Sequence, residues 1–298
     1  MPESASSRSA APRAIALMVA ALSCLILLDA SGKWLGMRGV PVAATTWSRY
    51  AGHTLVVLAL LLPTQGAAAL RTAHPGRQIA RGVLMVTVTL LYFAALKHLP
   101  LAQATAVFFT TPILVTLFAS VFLRERPDWR TWAAVACGFA GVLVVVRPGT
   151  ALPLAGVLLV LAAAAGNAAY QTLTRAQAHA DAPSVQVLWS GLVGAALMTA
   201  AMPAWWSDGW WRSPTLDPRD WLVFAMVGPL GAAGHLLLAR AYRLAQASRL
   251  APWAYTQMVL SIALGWALFG DVPDGIALAG MALIAAGPQI SRLGSSRG

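Results

Sequence analysis

Ten apolar runs, separated by short polar breaks, divide the chain at 14–35, 42–63, 80–97, 101–123, 130–147, 152–174, 184–204, 219–240, 246–269 and 274–291. A helix needs about 20 apolar residues to cross the hydrocarbon of a bilayer. The breaks carry the residues that end helices, among them Pro41, Pro63, Pro100, Pro127, Pro148-Gly149, Pro183, Pro203, Pro218 and Pro273. Composition agrees with a lipid solvent. Of the 298 residues 58% are hydrophobic and 10% charged, where a soluble domain carries about 25% charged residues. The chain therefore reads as an all-α integral membrane protein with ten transmembrane helices.

A net charge of +11 invites a nucleic-acid partner, but the basic residues stand singly or in pairs between apolar runs instead of clustering on one soluble face. Their distribution gives a direction instead. With the N-terminus inside, 14 of the 21 Lys and Arg fall in inside segments, 6 in outside segments, and Arg49 lies within a span. Lys and Arg favour the cytoplasmic side, so both termini are expected in the cytoplasm, at the cell inner membrane. The first run is long enough to span and many runs follow it, which favours a retained helix over a cleaved signal. Cys24 and Cys137 lie inside apolar runs and read as small buried hydrophobes. No ligand spacing points to a metal or cofactor.

The second constraint is that the chain repeats itself. Leu101-Ala102-Gln103-Ala104-Thr105 recurs as Leu244-Ala245-Gln246-Ala247-Ser248, Trp47-Ser48 as Trp189-Ser190, and Glu125-Arg126-Pro127-Asp128 as Asp271-Val272-Pro273-Asp274, at offsets of 142–146 residues. Five spans per half make the second half enter from the opposite side, so the halves are expected as inverted repeats, the organisation of many transporters. The expected layout is a tail at 1–13, a first five-helix repeat at 14–147, a second at 152–291 and a tail at 292–298.

The motifs within that layout are Leu28-Asp29-Ala30-Ser31-Gly32-Lys33, Trp47-Ser48-Arg49, Tyr92-Phe93-Ala94-Ala95-Leu96-Lys97, Thr110-Thr111-Pro112, Leu123-Arg124-Glu125-Arg126 and Gly138-Phe139-Ala140-Gly141-Val142. In this order and spacing the chain resembles the EamA-type members of the drug/metabolite transporter superfamily, over residues 14–290. The resemblance implies a substrate cavity lined mainly by helices one, three, four, six, eight and nine, and alternating access. It also implies a cargo drawn from amino acids, vitamins such as riboflavin, nucleotide-like metabolites and drugs. Asp271 stands where the second-half carboxylate of the family is often Glu, which keeps the charge.

Charged side chains inside a span cost roughly 2.5–3.5 kcal/mol each on insertion scales, so each needs a reason. Asp29 and Lys33 lie four apart on one helix face, acid first. They read either as a structural ion pair or as a gate, substrate-orienting or proton-coupling pair. Arg49, after Trp47-Ser48, is expected to pair with Asp29 or backbone carbonyls, or to fork an anionic group of the substrate. Aligning the halves sets Asn167 and Gln171 opposite Asp29 and Lys33, Gly191 opposite Arg49 and His235 opposite Tyr92. Tyr92 and His235 read as cavity residues or as helix-to-helix hydrogen bonders. Phe108, Thr111 and Pro112 mark a bend in the fourth span, and Pro252, Trp253, Tyr255 and Gln257 mark one in the ninth. Proline frees a carbonyl that threonine can help resatisfy, and aromatic walls can sandwich a flat ring. Four Trp in Trp205–Trp211 read as an interfacial anchor or a ligand-capturing lip.

The candidate substrate-binding residues are thus Asp29, Lys33, Trp47, Arg49, Tyr92, Phe108, Thr111, Asn167, Gln171, His235, Trp253, Tyr255 and Gln257. The expected function is a secondary transporter of a small polar or aromatic metabolite, partnered by lipid and substrate and driven by a proton or by exchange, since no Walker A sequence is present. A membrane-embedded enzyme needs clustered nucleophiles or ligands, and the five His are scattered. A non-transporting membrane subunit is the other alternative.

Overall fold

Long apolar runs with proline at several of their starts favour helices, because in hydrocarbon a backbone satisfies its own hydrogen bonds most simply that way. The computed structural model describes residues 5–122, 129–147, 152–176, 183–206, 209–244 and 250–292, and these are helical without strands. The α-helices in chain order are α1 (Ala5–Met37), α2 (Val42–Gln65), α3 (Pro75–Ala95), α4 (Leu101–Phe108), α5 (Thr111–Phe122), α6 (Trp129–Val146) and α7 (Leu154–Ala176). They continue with α8 (Pro183–Ala200), α9 (Met202–Trp206), α10 (Pro218–Leu244), α11 (Thr256–Phe269) and α12 (Gly275–Arg292). Short 3-10 turns stand at Gly66–Leu70, Trp210–Arg212 and Ala251–Tyr255.

Helix lies over every one of the expected stretches, yet not all are long enough to cross alone. Among the described residues six helical stretches are long and apolar enough, with α4 and α5 taken as one, or seven if α8 and the segment after it, bent by 61°, form one span. Trp132–Val146, Trp253–Phe269 and Gly275–Ala286 are apolar but shorter. The break expected in the fourth span is present. Pro112 has no N–H, so the hydrogen bonding tightens before it: the Thr110 N–H and hydroxyl both donate to the Val107 carbonyl, at 3.0 and 2.6 Å, and α4 ends at Phe108. In the ninth, Pro252 lies in the 3-10 turn that precedes α11.

The described helices group into two units, and each takes segments from both halves of the sequence: Met1–Gly82 with His179–Ser261, and Val83–Ala178 with Ile262–Gly298. In the first unit α10 packs along α1 and α2, and α2 along α8. A Cβ on Gly228 would stand 2.5 Å from the Gly52 Cα, so α2 and α10 touch backbone to backbone. The two recurring Trp-Ser pairs are used reciprocally. The Trp47 indole near the start of α2 donates to Thr199 Oγ1 near the end of α8, at 2.9 Å. The Trp189 indole near the start of α8 donates to the Leu70 carbonyl just after α2, at 3.1 Å. The Ser48 hydroxyl donates to the Phe224 carbonyl of α10.

In the second unit α6 and α12 form the closest pair. A Cβ on Gly141 would stand 2.7 Å from the Gly280 carbonyl oxygen, which makes the Gly138–Gly141 stretch a packing face, as its small residues imply. Arg147, directly after α6, holds Asp274 Oδ2 at 2.6 Å and also donates to Oδ1. Asp274 in turn caps α12 by accepting the Ala277 N–H at 2.8 Å. Cys24 and Cys137 are free and half-buried, and the Cys137 thiol points at the Leu283 carbonyl.

Candidate functional site

In the first unit, three helices deliver polar side chains to one place. Arg49 and His53 lie one turn apart on a face of α2. The imidazole of His235, on α10, meets that of His53 edge to face with centroids 6.0 Å apart. Asp29, on α1, completes the group. The Arg49 guanidinium is within electrostatic reach of Asp29, His53 and His235. The reason these groups meet is the absence of side chains opposite them. A Cβ on Gly231 of α10 would stand 3.0 Å from Leu28 Cδ1, 3.9 Å from His53 Nδ1 and 4.0 Å from Arg49 Cγ. On α8, a Cβ on Gly191 would strike His53 Cδ2 at 2.7 Å and Thr54 Oγ1 at 2.8 Å. His53 Nε2 lies 3.3 Å from the Val187 carbonyl of α8.

Of the sequence-derived candidates, Asp29, Arg49 and His235 are therefore brought together. His53 was not among them. Its signal was present in the spacing, four residues after an intramembrane Arg, where a side chain shares the face of its neighbour. Lys33 is buried at 8% exposure, one turn beyond Asp29 on α1. Trp47 is engaged near the start of α2, where its ring also approaches Trp205 at 6.3 Å. Trp253 is exposed, and Tyr255 and Gln257 are half-buried.

At the start of α10 lies a second polar group that the sequence did not announce. Asp220, almost fully buried, accepts the Trp34 indole N–H at 2.7 Å, and Arg38 stands 3.6 Å from the same oxygen. Beside it Trp206 stacks on Trp211 at 4.2 Å, and Trp210 on Trp221 at 5.8 Å. The cleft here, between Leu35, Trp210 and Phe224, leaves essentially no room even for a water molecule, where metabolite pockets run to roughly 300–1,000 Å³. This region reads as a girdle closing the end of the unit.

The second unit carries Tyr92, Phe108, Thr111, Asn167 and Gln171. Tyr92 and Phe108 are brought together, ring centroids 5.0 Å apart. The Tyr92 hydroxyl lies 3.4 Å from Thr105 Oγ1, whose own proton goes to the Leu101 carbonyl at 2.9 Å, so tyrosine is the donor. Thr111 is buried at the head of α5, its hydroxyl without a hydrogen-bond partner among the described residues. Asn167 is half-buried and Gln171 exposed on α7. Among the described residues no three His, Cys, Asp or Glu converge as metal ligands.

A charged, titratable cluster inside apolar helices suits the handling of a polar solute. Comparison with known proteins finds transporters. A riboflavin transporter of Rhizobium johnstonii is 30% identical, the match covering 90% of this chain and 86% of that protein. A pseudopaline exporter of Pseudomonas aeruginosa is 29% identical over 82% of this chain and 84% of its own. An S-adenosylmethionine uptake transporter of Rickettsia bellii is 25% identical over 86% and 85%. A solved crystal structure, 23% identical, superposes with a TM-score of 0.64 over 95% of this chain and 98% of its own, a likeness of fold. The model of the EamA-like transporter family matches residues 12–147 and again 154–290. This multi-pass membrane protein, a small-metabolite transporter and not an enzyme, belongs to the EamA-like transporter family.

Proposed function

We propose that the chain is a secondary transporter of ten spans, built as two inverted five-helix repeats, 14–147 and 152–291, that works by alternating access in the cytoplasmic membrane with both termini inside. The observation that carries this reading is that one family model fits the chain twice, once per half. The reciprocal Trp47 and Trp189 hydrogen bonds add to it, because an inverted repeat sets its second and seventh spans antiparallel and equivalent. The three shorter apolar helices then complete ten crossings with the bent pair counted as one.

The cargo is a small polar or aromatic metabolite. Riboflavin and S-adenosylmethionine, named for two relatives, share a planar nitrogen heterocycle bearing hydroxyl-rich carbons. Asp29, Arg49 and His235 are the residues proposed to meet the polar part of such a molecule, with Lys33 one turn away. Tyr92 and Phe108 form a separate aromatic candidate within their own unit. Thr111, Asn167, Gln171, Trp47, Trp253, Tyr255 and Gln257 remain secondary candidates. The test is uptake by the full-length protein in proteoliposomes, with labelled riboflavin, S-adenosylmethionine and amino acids. Saturable uptake of at least one is expected, falling at least tenfold in Arg49→Gln. No uptake of any above empty liposomes overturns the reading.

A further inference from the structure

We propose that His53 and His235 read a vicinal diol on the cargo, His53 accepting the proton of one hydroxyl and His235 donating a proton to the oxygen of its neighbour. This deepens the reading above and rests on the unit that holds these side chains meeting the cargo.

The inference starts from hydrogen bonds that the two imidazoles do not make. The His53 ring lies against α8 with Nε2 3.3 Å from the Val187 carbonyl. A carbonyl only accepts, so the proton sits on Nε2 and Nδ1 keeps a bare lone pair. That atom faces α10 where the helix has no side chain: a Cβ on Gly231 would stand 3.9 Å from it. His235 follows Gly231 by one turn on the same face of α10. It is half-buried and meets His53 edge to face at 6.0 Å. Neither of its ring nitrogens has a hydrogen-bond partner among the described residues. The pair thus offers one acceptor, fixed by the Val187 carbonyl, and one N–H to donate. Leaving such groups unmet in an apolar interior is costly.

The chemistry of the pair selects the class of group that meets both. An imidazole is mostly uncharged above its ordinary pKa of about 6.5, so donor and acceptor come without net charge. A hydroxyl both donates and accepts, and hydroxyls on adjacent carbons supply one of each. A carboxylate or phosphate only accepts and leaves the His53 lone pair unmet; an ammonium only donates and leaves the His235 N–H unmet. A ring amide edge carries one of each, but in one plane, whereas the imidazole planes stand 70° apart. Hydroxyl protons rotate to suit such a pair. Among the described residues no third His, Cys, Asp or Glu joins the two imidazoles, as a metal ion would require. A diol adds no charge beside Asp29 and Lys33 on α1 and Arg49 on α2, so the contact is independent of how those three balance. Riboflavin and S-adenosylmethionine, the test solutes above, both carry vicinal hydroxyls.

The test compares riboflavin with lumiflavin, which keeps the ring and its amide edge but has a methyl group in place of the hydroxylated chain. Binding to the purified full-length protein is read by flavin fluorescence anisotropy at about pH 8, where imidazoles are uncharged. Riboflavin is expected to bind roughly tenfold to a hundredfold tighter, as two hydrogen bonds to otherwise unmet groups allow. This comparison needs no variant to fold. His235→Phe keeps a ring for the edge-to-face contact and gives up no hydrogen bond to a described residue. It should lower riboflavin affinity about tenfold and leave lumiflavin within about twofold. His53→Phe should do the same, and the double variant should bind the two flavins alike. Equal affinity of the unaltered protein for both flavins, binding of neither, or a riboflavin preference that survives both substitutions overturns the diol contact. An equal loss for both flavins also overturns it, because it places the imidazoles on the ring. Uptake of riboflavin or S-adenosylmethionine into proteoliposomes alongside any of these results leaves the transporter reading standing and removes only the diol contact.

Discussion

Single residues in this protein are worth what their surroundings make of them, and the two halves of each polar contact differ in kind. Tyr92 donates to a threonine that already has a carbonyl partner. Tyr92→Phe therefore removes the hydrogen bond to Thr105 and leaves that threonine its carbonyl partner, and the expected loss in unfolding free energy is about 0.6 kcal/mol, the average for such bonds between membrane helices. Denaturant titration of the detergent-solubilised protein measures it; a loss above about 2 kcal/mol contradicts this. Asp274 gives a pH signature. The hydrogen bond from Arg147 holds its carboxyl below the ordinary value of 3.8, helped by the Ala277 N–H. A carboxyl depressed in the folded state stabilises above its ordinary value and loses that contribution as pH falls through the depressed one. The gap in melting temperature between the unaltered protein and Asp274→Ala should thus be open at neutral pH and narrow as the pH falls below 3.8. It should be small, since the pair is largely exposed to solvent. A gap that widens on acidification rules the pair out as its source.

At the scale of elements, the same chemistry serves packing in one place and bending in another. The contact of α6 with α12 has no room for a side chain at Gly141, where an added methyl would meet a backbone oxygen at 2.7 Å. Gly141→Ala is expected to cost about 1–3 kcal/mol, as overpacking does, and to be read as a drop in melting temperature. Gly39, with φ +84° but nothing near a built Cβ, is the contrasting case of a glycine kept for its backbone and not for space. The break between α4 and α5 follows from one missing N–H. Pro112→Ala returns that donor to the Phe108 carbonyl, so the melting temperature should rise while transport slows. If transport is unchanged when the segment straightens, the break has no part in the cycle. The existence of these elements was legible in the chain, because apolar runs and prolines are local signals. Their lengths were less so: the ninth stretch has a 3-10 turn at Ala251–Tyr255 ahead of its helix and the seventh bends by 61°, and both depend on neighbours the local pattern does not encode.

For the whole molecule, orientation and repetition belong together. Of the 21 Lys and Arg, 14 fall on the side assigned to the cytoplasm, and an inverted pair of five-span halves returns the C-terminus to the side it left. A fluorescent protein fused to the C-terminus should therefore light up in the cytoplasm, while alkaline phosphatase fused there stays inactive. The opposite pattern excludes ten spans with an internal N-terminus. The candidate site was only partly legible. Asp29, Arg49 and His235 stand out in the chain because each is a polar group in an apolar run, and the cost of placing it there marks it. His53 escaped, since the spacing that sets it on the face of Arg49 does not by itself separate a site residue from a helix contact.

By itself the sequence determined that this is an all-helical membrane protein of a transporter family, since long apolar runs leave the backbone little alternative and the doubled motifs mark the halves. Only the tertiary structure decided which isolated polar groups meet. Asp29 on α1 comes within electrostatic reach of Arg49 on α2, and His53 meets His235 on α10 across a separation of 182 residues. The physical reason is that such meetings are set by where helices cross, and helices cross where glycines 52, 191, 228 and 231 let backbones close in. A charge is written at one position, but its partner is chosen by packing.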